Sequence, residues 1–273
     1  MGDFRQLLEE IAHCPIAHAI RAGDCPVSAP CHKVVSAQTG VLFQVPEPWS
    51  GQIDIARLLF ISSNPSIDEQ EDYPNGSWES HRTGDFFQSR FIPASGWVKD
   101  GLYPRQRDGS WSENWVRFWA SARGRSREIL QRKADPGIDF ALTEIVHCKS
   151  RKEYGVEEAR DECSDRYLER VIALAAAKVL IVYGKHAEGA IRRRFRSAMI
   201  QQEHGLSLVS IGGNPRMLAF LPHPNRPGPK KTLVANIGSD GLKLIRTHLM
   251  SNEQPGTSYS NISARRRRKR GIR

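Results

Sequence analysis

Leu58-Leu59-Phe60-Ile61-Ser62-Ser63-Asn64-Pro65-Ser66 is the stretch that decides the fold. Four successive apolar residues run into a polar, proline-stiffened turn. That is the pattern of a strand covered on both faces that delivers a chemically able side chain just past its end. Met217-Leu218-Ala219-Phe220-Leu221, followed by His223-Pro224-Asn225, repeats the arrangement far along the chain. Open parallel α/β sheets bind ligands in the crevice beyond their strand ends, so Asn64 and His223 read as two walls of one pocket.

Working outward, strands are expected at 57–63, 140–147, 178–183, 207–211 and 217–221, mostly as short continuous apolar runs. Phe4, Leu7, Leu8 and Ile11 at helical spacing predict an N-terminal amphipathic helix. Val156, Ala159, Cys163, Tyr167, Leu168, Val171, Ile172 and Ala175 form one face of a long helix. Gly184 opens another helix reaching Phe195, and 233–249 gives the last. The fold class is α/β: a three-layer α/β/α domain around a short, central, mostly parallel sheet of four to five strands. One domain over 1–250 is expected, with 1–56 as a cysteine-bearing docking segment and 251–273 as a disordered basic tail. The stretch 68–137 is long, polar and rich in rings, which marks a functional loop, helical over 115–130.

Composition narrows the classes. A chain of 273 residues carries one full core. No run approaches the ~18 apolar residues of a membrane span, and the N-terminus lacks a signal-like pattern, so a cytoplasmic protein without membrane partners is expected. Five cysteines, Cys14, Cys25, Cys31, Cys148 and Cys163, read as thiols or metal ligands rather than a disulfide framework. The net charge is +10, and seven of the positive charges sit in 265–273, leaving +3 on the rest. Such a tail suits a polyanion through counterion release. No G-x-G-x-x-G or G-x-x-x-x-G-K-[ST] occurs, so no nucleotide cofactor is expected.

Taken with Ala141-Leu142-Thr143-Glu144-Ile145-Val146-His147-Cys148-Lys149 and Lys178-Val179-Leu180-Ile181-Val182-Tyr183-Gly184-Lys185-His186-Ala187, the two turns resemble the uracil-DNA glycosylase superfamily from about 57 to about 249. Its members carry a G-x-[D/N]-P turn, a strand ending in a base-reading Asn, a K-V-I-V-x-L-G-x-x-A strand and a final H-P-S motif. The resemblance implies that Asn64 places the attacking water and His223 stabilises the oxygen of the departing base. It implies that Phe86 or Phe87 stacks on the flipped base, and that Asn225 and Arg226 lie in the loop that enters the duplex. Lys230, Lys231, Arg265, Arg266, Arg267 and Arg268 are read as further DNA-binding residues. The chemistry needs no cofactor, and DNA is the expected partner of a monomer.

Three departures matter. Glu144 stands where uracil-reading members have Asn; an ionised carboxylate accepts only, which suits an exocyclic amino group, and a protonated one could also donate to cytosine N3. Ser66 stands where the most uracil-selective branch has a Tyr that closes the space at C5. Together they favour a C5-modified cytosine over uracil, with a defence role against modified phage DNA beside repair. Cys148 and Cys163 have nearly the spacing of the last two ligands in branches holding a [4Fe–4S] cluster, which makes Cys25, Cys31, Cys148 and Cys163 the expected set. The other reading makes them ordinary thiols. The competing functions are uracil excision in repair and a non-catalytic DNA-binding module on the same fold.

Overall fold

Alternation along the first strand, β1 (Leu58–Ser62), sets up the layers: Leu59 and Ile61 enter one hydrophobic core, Leu58 and Phe60 the other. A strand buried on both faces has no polar side, which is why its sequence is a continuous apolar run. The computed structural model describes residues 2–38, 42–225 and 232–251. The expected DNA contacts Arg226, Lys230, Lys231 and Arg265 to Arg268, and the tail expected over 252–273, lie outside the described residues.

In chain order, α1 (Gly2–Ala12), α2 (Pro15–Ala22) and α3 (His32–Ser36) precede β1. Then come α4 (Ser80–Ser89), the small hairpin β2 (Val98–Lys99) and β3 (Tyr103–Pro104), α5 (Arg117–Leu130) and β4 (Phe140–Glu144). α6 (Val156–Cys163) and α7 (Glu169–Leu174) flank a π-helical turn at Ser164–Leu168. β5 (Val179–Tyr183), α8 (Gly184–Phe195), β6 (Ile200–Gln201), β7 (Leu206–Ile211), β8 (Asn214–Leu221) and α9 (Leu233–Met250) complete the described chain.

The sheet order is β4-β1-β5-β8-β7-β6, parallel from β4 to β8 and antiparallel thereafter. It has six strands where four or five were expected; the extra one, β6, has two exposed residues and leaves no apolar run to read. β7 and β8 are joined through Gly212 and Gly213, at φ 61° and 77°. That conformation suits the tight hairpin, and a Cβ on Gly212 would lie 2.9 Å from that of Ala173. α1, α2, α3, α4, α6, α7 and α8 contribute to the first core and α5 and α9 to the second, giving the expected three layers. Leu7, Leu8 and Ile11 of α1 are buried in the first core, as their spacing predicts. The long helix over 156–175 is interrupted by its π turn rather than uniform. Among the described residues no helix is long and apolar enough to cross a membrane.

Candidate active site

Asn64 follows β1 and His223 follows β8, with β5 between them, so both stand at the C-terminal ends of parallel strands. Asn64 is half-buried and its amide is fixed: Nδ2 donates to Ser150 Oγ at 2.9 Å, to the Pro65 carbonyl at 3.0 Å and to the Cys148 carbonyl at 3.5 Å. With Nδ2 engaged, Oδ1 is the group that can hold a water. Ser66 is exposed beside it.

His223 accepts the Asn225 backbone N–H at Nδ1, 3.3 Å away. An acceptor at Nδ1 places the neutral ring's proton on Nε2, making that nitrogen a donor. Burial lowers the His223 pKa, against an opposing pull from Glu153, so the ring is neutral at pH 7. Gly184, at φ 81°, opens α8 directly against it: a Cβ there would sit 3.3 Å from that of His223. Asn225 is exposed.

Glu144 ends β4 opposite Ser62 of β1 and is 4% exposed. Beside it lies a buried charge network that sequence reasoning missed. Arg90 donates to Glu47 Oε1 at 3.0 Å and pairs with Glu71, while Lys149 Nζ stands 3.4 Å from Glu71. Tyr73 and Ser50 donate to Glu47 at 3.1 and 2.7 Å. Two carboxylates and two cations balance without Glu144, which forms no ion pair among the described residues and whose Oε2 has no hydrogen-bond partner. Burial first, and the charge of Glu47 second, push its carboxyl well above the usual carboxylate range. Burial therefore favours its protonated, neutral form.

The structure places Phe86 and Phe87 in the core. Both lie on the buried face of α4, 1% and 0% exposed, packed against Tyr73 at 5.3 and 5.8 Å and against each other at 5.3 Å. Phe86 also meets Trp78 and Trp97, so neither ring offers a free face to a base. A ring-rich loop reads alike whether its rings serve a ligand or a core. The arginines of α8 likewise belong to a solvated face, with Arg192, Arg193 and Arg194 paired to Glu188, Asp165 and Glu169.

The cysteines gather as a set that differs from the expected one by a single member. Cys14, Cys31, Cys148 and Cys163 line one cavity of about 10 Å³; Cys25 is not among its lining residues. Cys14 reaches it because α1 docks on the core and ends there. Burial and the neighbouring thiols push the Cys31 thiol up to about 12, and those of Cys148 and Cys163 upward too. Tyr167 Oη donates to Cys14 Sγ at 3.6 Å. Among the described residues no three Cys, His, Asp or Glu groups could hold a single metal ion. Ile16, Ala17, Pro46 and Val146 lie with the four thiols in the lining.

No curated protein matches the chain. The profile of the Uracil DNA glycosylase superfamily matches residues 48–234, which include the Asn64 and His223 turns and β4. The chain belongs to the uracil DNA glycosylase superfamily.

Proposed function

We propose that the protein is a monofunctional DNA glycosylase that flips a non-canonical pyrimidine out of DNA and hydrolyses its N-glycosidic bond, leaving an abasic site. The observation that carries this reading is the joint placement of a fixed Asn64 amide and a neutral, Nε2-protonated His223 at one crevice. Cleavage passes through an oxocarbenium-like sugar and leaves negative charge on the base. Asn64 Oδ1 holds the water, and the His223 N–H donates to the base oxygen where that charge develops. Lys149 is occupied by Glu71, which fits hydrolysis by water rather than by a lysine Schiff base.

For the base, the preferred reading is a C5-modified cytosine. The neutral Glu144 carboxyl can accept from the exocyclic amino group and donate to N3, supplying the proton that a poor leaving group needs. Exposed Ser66 leaves room at C5. Plain cytosine is a normal base, so a modification must be demanded, and defence against modified foreign DNA follows beside repair. The same neutral carboxyl also supports a second reading, uracil, because it offers one donor and one acceptor as an Asn amide does.

The cysteine cavity would hold a [4Fe–4S] cluster through Cys14, Cys31, Cys148 and Cys163. Such a cluster, when bound, ties the N-terminal helices to the sheet and takes no part in hydrolysis. DNA is the partner, gripped by Asn225, Arg226, Lys230, Lys231 and the tail arginines. A monomer in the cytoplasm is proposed.

The test is base release from duplex and single-stranded DNAs carrying uracil, 5-hydroxymethylcytosine, its glucosylated form or plain cytosine, with His223→Ala as control. Release from a modified cytosine alone supports the preferred reading, and release from uracil the second. DNA binding without release from any substrate replaces the enzyme by a binding module.

A further inference from the structure

Polar groups from three strand ends meet around a carboxylate that this mechanism leaves unused. Glu153 lies in the loop between β4 and α6, where Lys152 and Glu153 both adopt left-handed backbone, at φ 54° and 58°. Side chains rarely favour that region, at a cost of about 1 kcal/mol or more each, so the loop is held in shape by its surroundings. The Glu153 carboxylate accepts a hydrogen bond from Ser63 Oγ, the residue next to Asn64. Its Oε2 stands 4.0 Å from His186 Nε2, in the first turn of α8, and its charge acts on His223. Ser63, His186 and His223 follow β1, β5 and β8, three neighbours in the sheet, so Glu153 lies across the crevice between water holder and base holder. Its side chain is 41% exposed, open to solvent and to an entering nucleotide.

Hydrolysis needs a proton acceptor that the other groups do not supply. The Asn64 amide orients water and cannot deprotonate it, burial favours the protonated form of Glu144, and His223 is committed as a donor. Resting on the glycosylase reading above, we propose that Glu153 is a catalytic residue that accepts the proton of the attacking water. As the bond between C1′ and the base nitrogen breaks, its electron pair leaves with the base. The water oxygen bonds to C1′, one water proton passes to a Glu153 oxygen, and that proton returns to solvent while the released base is protonated. The Ser63 hydroxyl orients the carboxylate.

Single-turnover base release by the full chain tests this on whichever DNA the wild type cleaves. Glu153→Gln retains an oxygen for the Ser63 bond, so the loop is kept. Its rate is expected to fall about 10²- to 10⁴-fold while affinity for the DNA changes little. In Glu153→Ala, added formate is expected to restore part of the lost rate, which it cannot do for a merely structural defect. An unimpaired Glu153→Gln, or a folded Glu153→Ala that formate does not help, overturns the proposal and leaves the glycosylase reading intact. A wild type that releases no base from any DNA in the panel overturns both.

Discussion

Ser150 and Asn64 hold each other in place: Asn64 Nδ2 donates to Ser150 Oγ at 2.9 Å, and the Ser150 backbone N–H donates to the Pro65 carbonyl at 3.1 Å. The Asn64 amide is therefore oriented by the loop that follows β4 rather than by its own turn alone. Asn64→Ala is expected to lower turnover about 10²- to 10³-fold with DNA affinity retained. Ser150→Ala, which frees the amide without removing it, is expected to lower kcat by a smaller factor. Parallel measurements of base release and DNA binding check both.

Glu144→Gln keeps one donor and one acceptor but cannot deliver a proton. With a cytosine-like substrate, base release should drop about 10²-fold or more, whereas release of uracil should be nearly unchanged. Equal effects on the two substrates would remove Glu144 from the chemistry.

Cys14→Ser is expected to abolish bound iron and its visible absorbance in protein purified without oxygen, and Cys25→Ser to leave both intact. Iron content per chain is the readout, independent of turnover. The reverse result would restore the ligand set read from sequence.

Arg90 has 3% of its side chain exposed and pairs with both Glu47 and Glu71, so Arg90→Met takes the ion pair from buried Glu47 and leaves Glu71 with Lys149 alone. A loss of about 3–5 kcal/mol is expected by denaturant unfolding. Glu47→Gln combined with Arg90→Met should cost less than the two single changes summed.

His147 titrates against the fold. Burial lowers its pKa from 6.5 to about 4, with Nδ1 at 2.7 Å from the Glu47 carbonyl. Between those values the unfolded chain binds the extra proton, so this contribution to stability is complete above about pH 6.5 and is lost as pH falls toward 4. The loss amounts to about 3 kcal/mol by linkage. His147→Asn keeps a side-chain donor and should flatten the fall of the unfolding midpoint with acid.

Much of this was legible in the residues because burial on both faces writes itself into a strand. β1, β4, β5 and β8 were readable as apolar runs, and the polar turns after β1 and β8 as Asn64-Pro65 and His223-Pro224. What stayed hidden was whatever depends on side chains from distant segments meeting. Glu47, Glu71, Arg90 and Lys149 look like ordinary surface charges until the fold buries them together. Cys14 lacks the short spacing that would have paired it with Cys31, and only the docking of α1 brings it to the cavity. Phe86 and Phe87 were misread because a ring's environment is a tertiary property. Glu153 was missed because nothing in Lys152-Glu153-Tyr154 marks a backbone held at positive φ.

The cysteine cavity also orders the birth of the protein. Its walls come from residues 14, 31, 148 and 163, so a chain emerging from the ribosome cannot close it until more than half its length has been made. Until then α3 has no α6 and α1 no α7 to pack against, and their apolar faces wait, exposed to chaperones and to other chains.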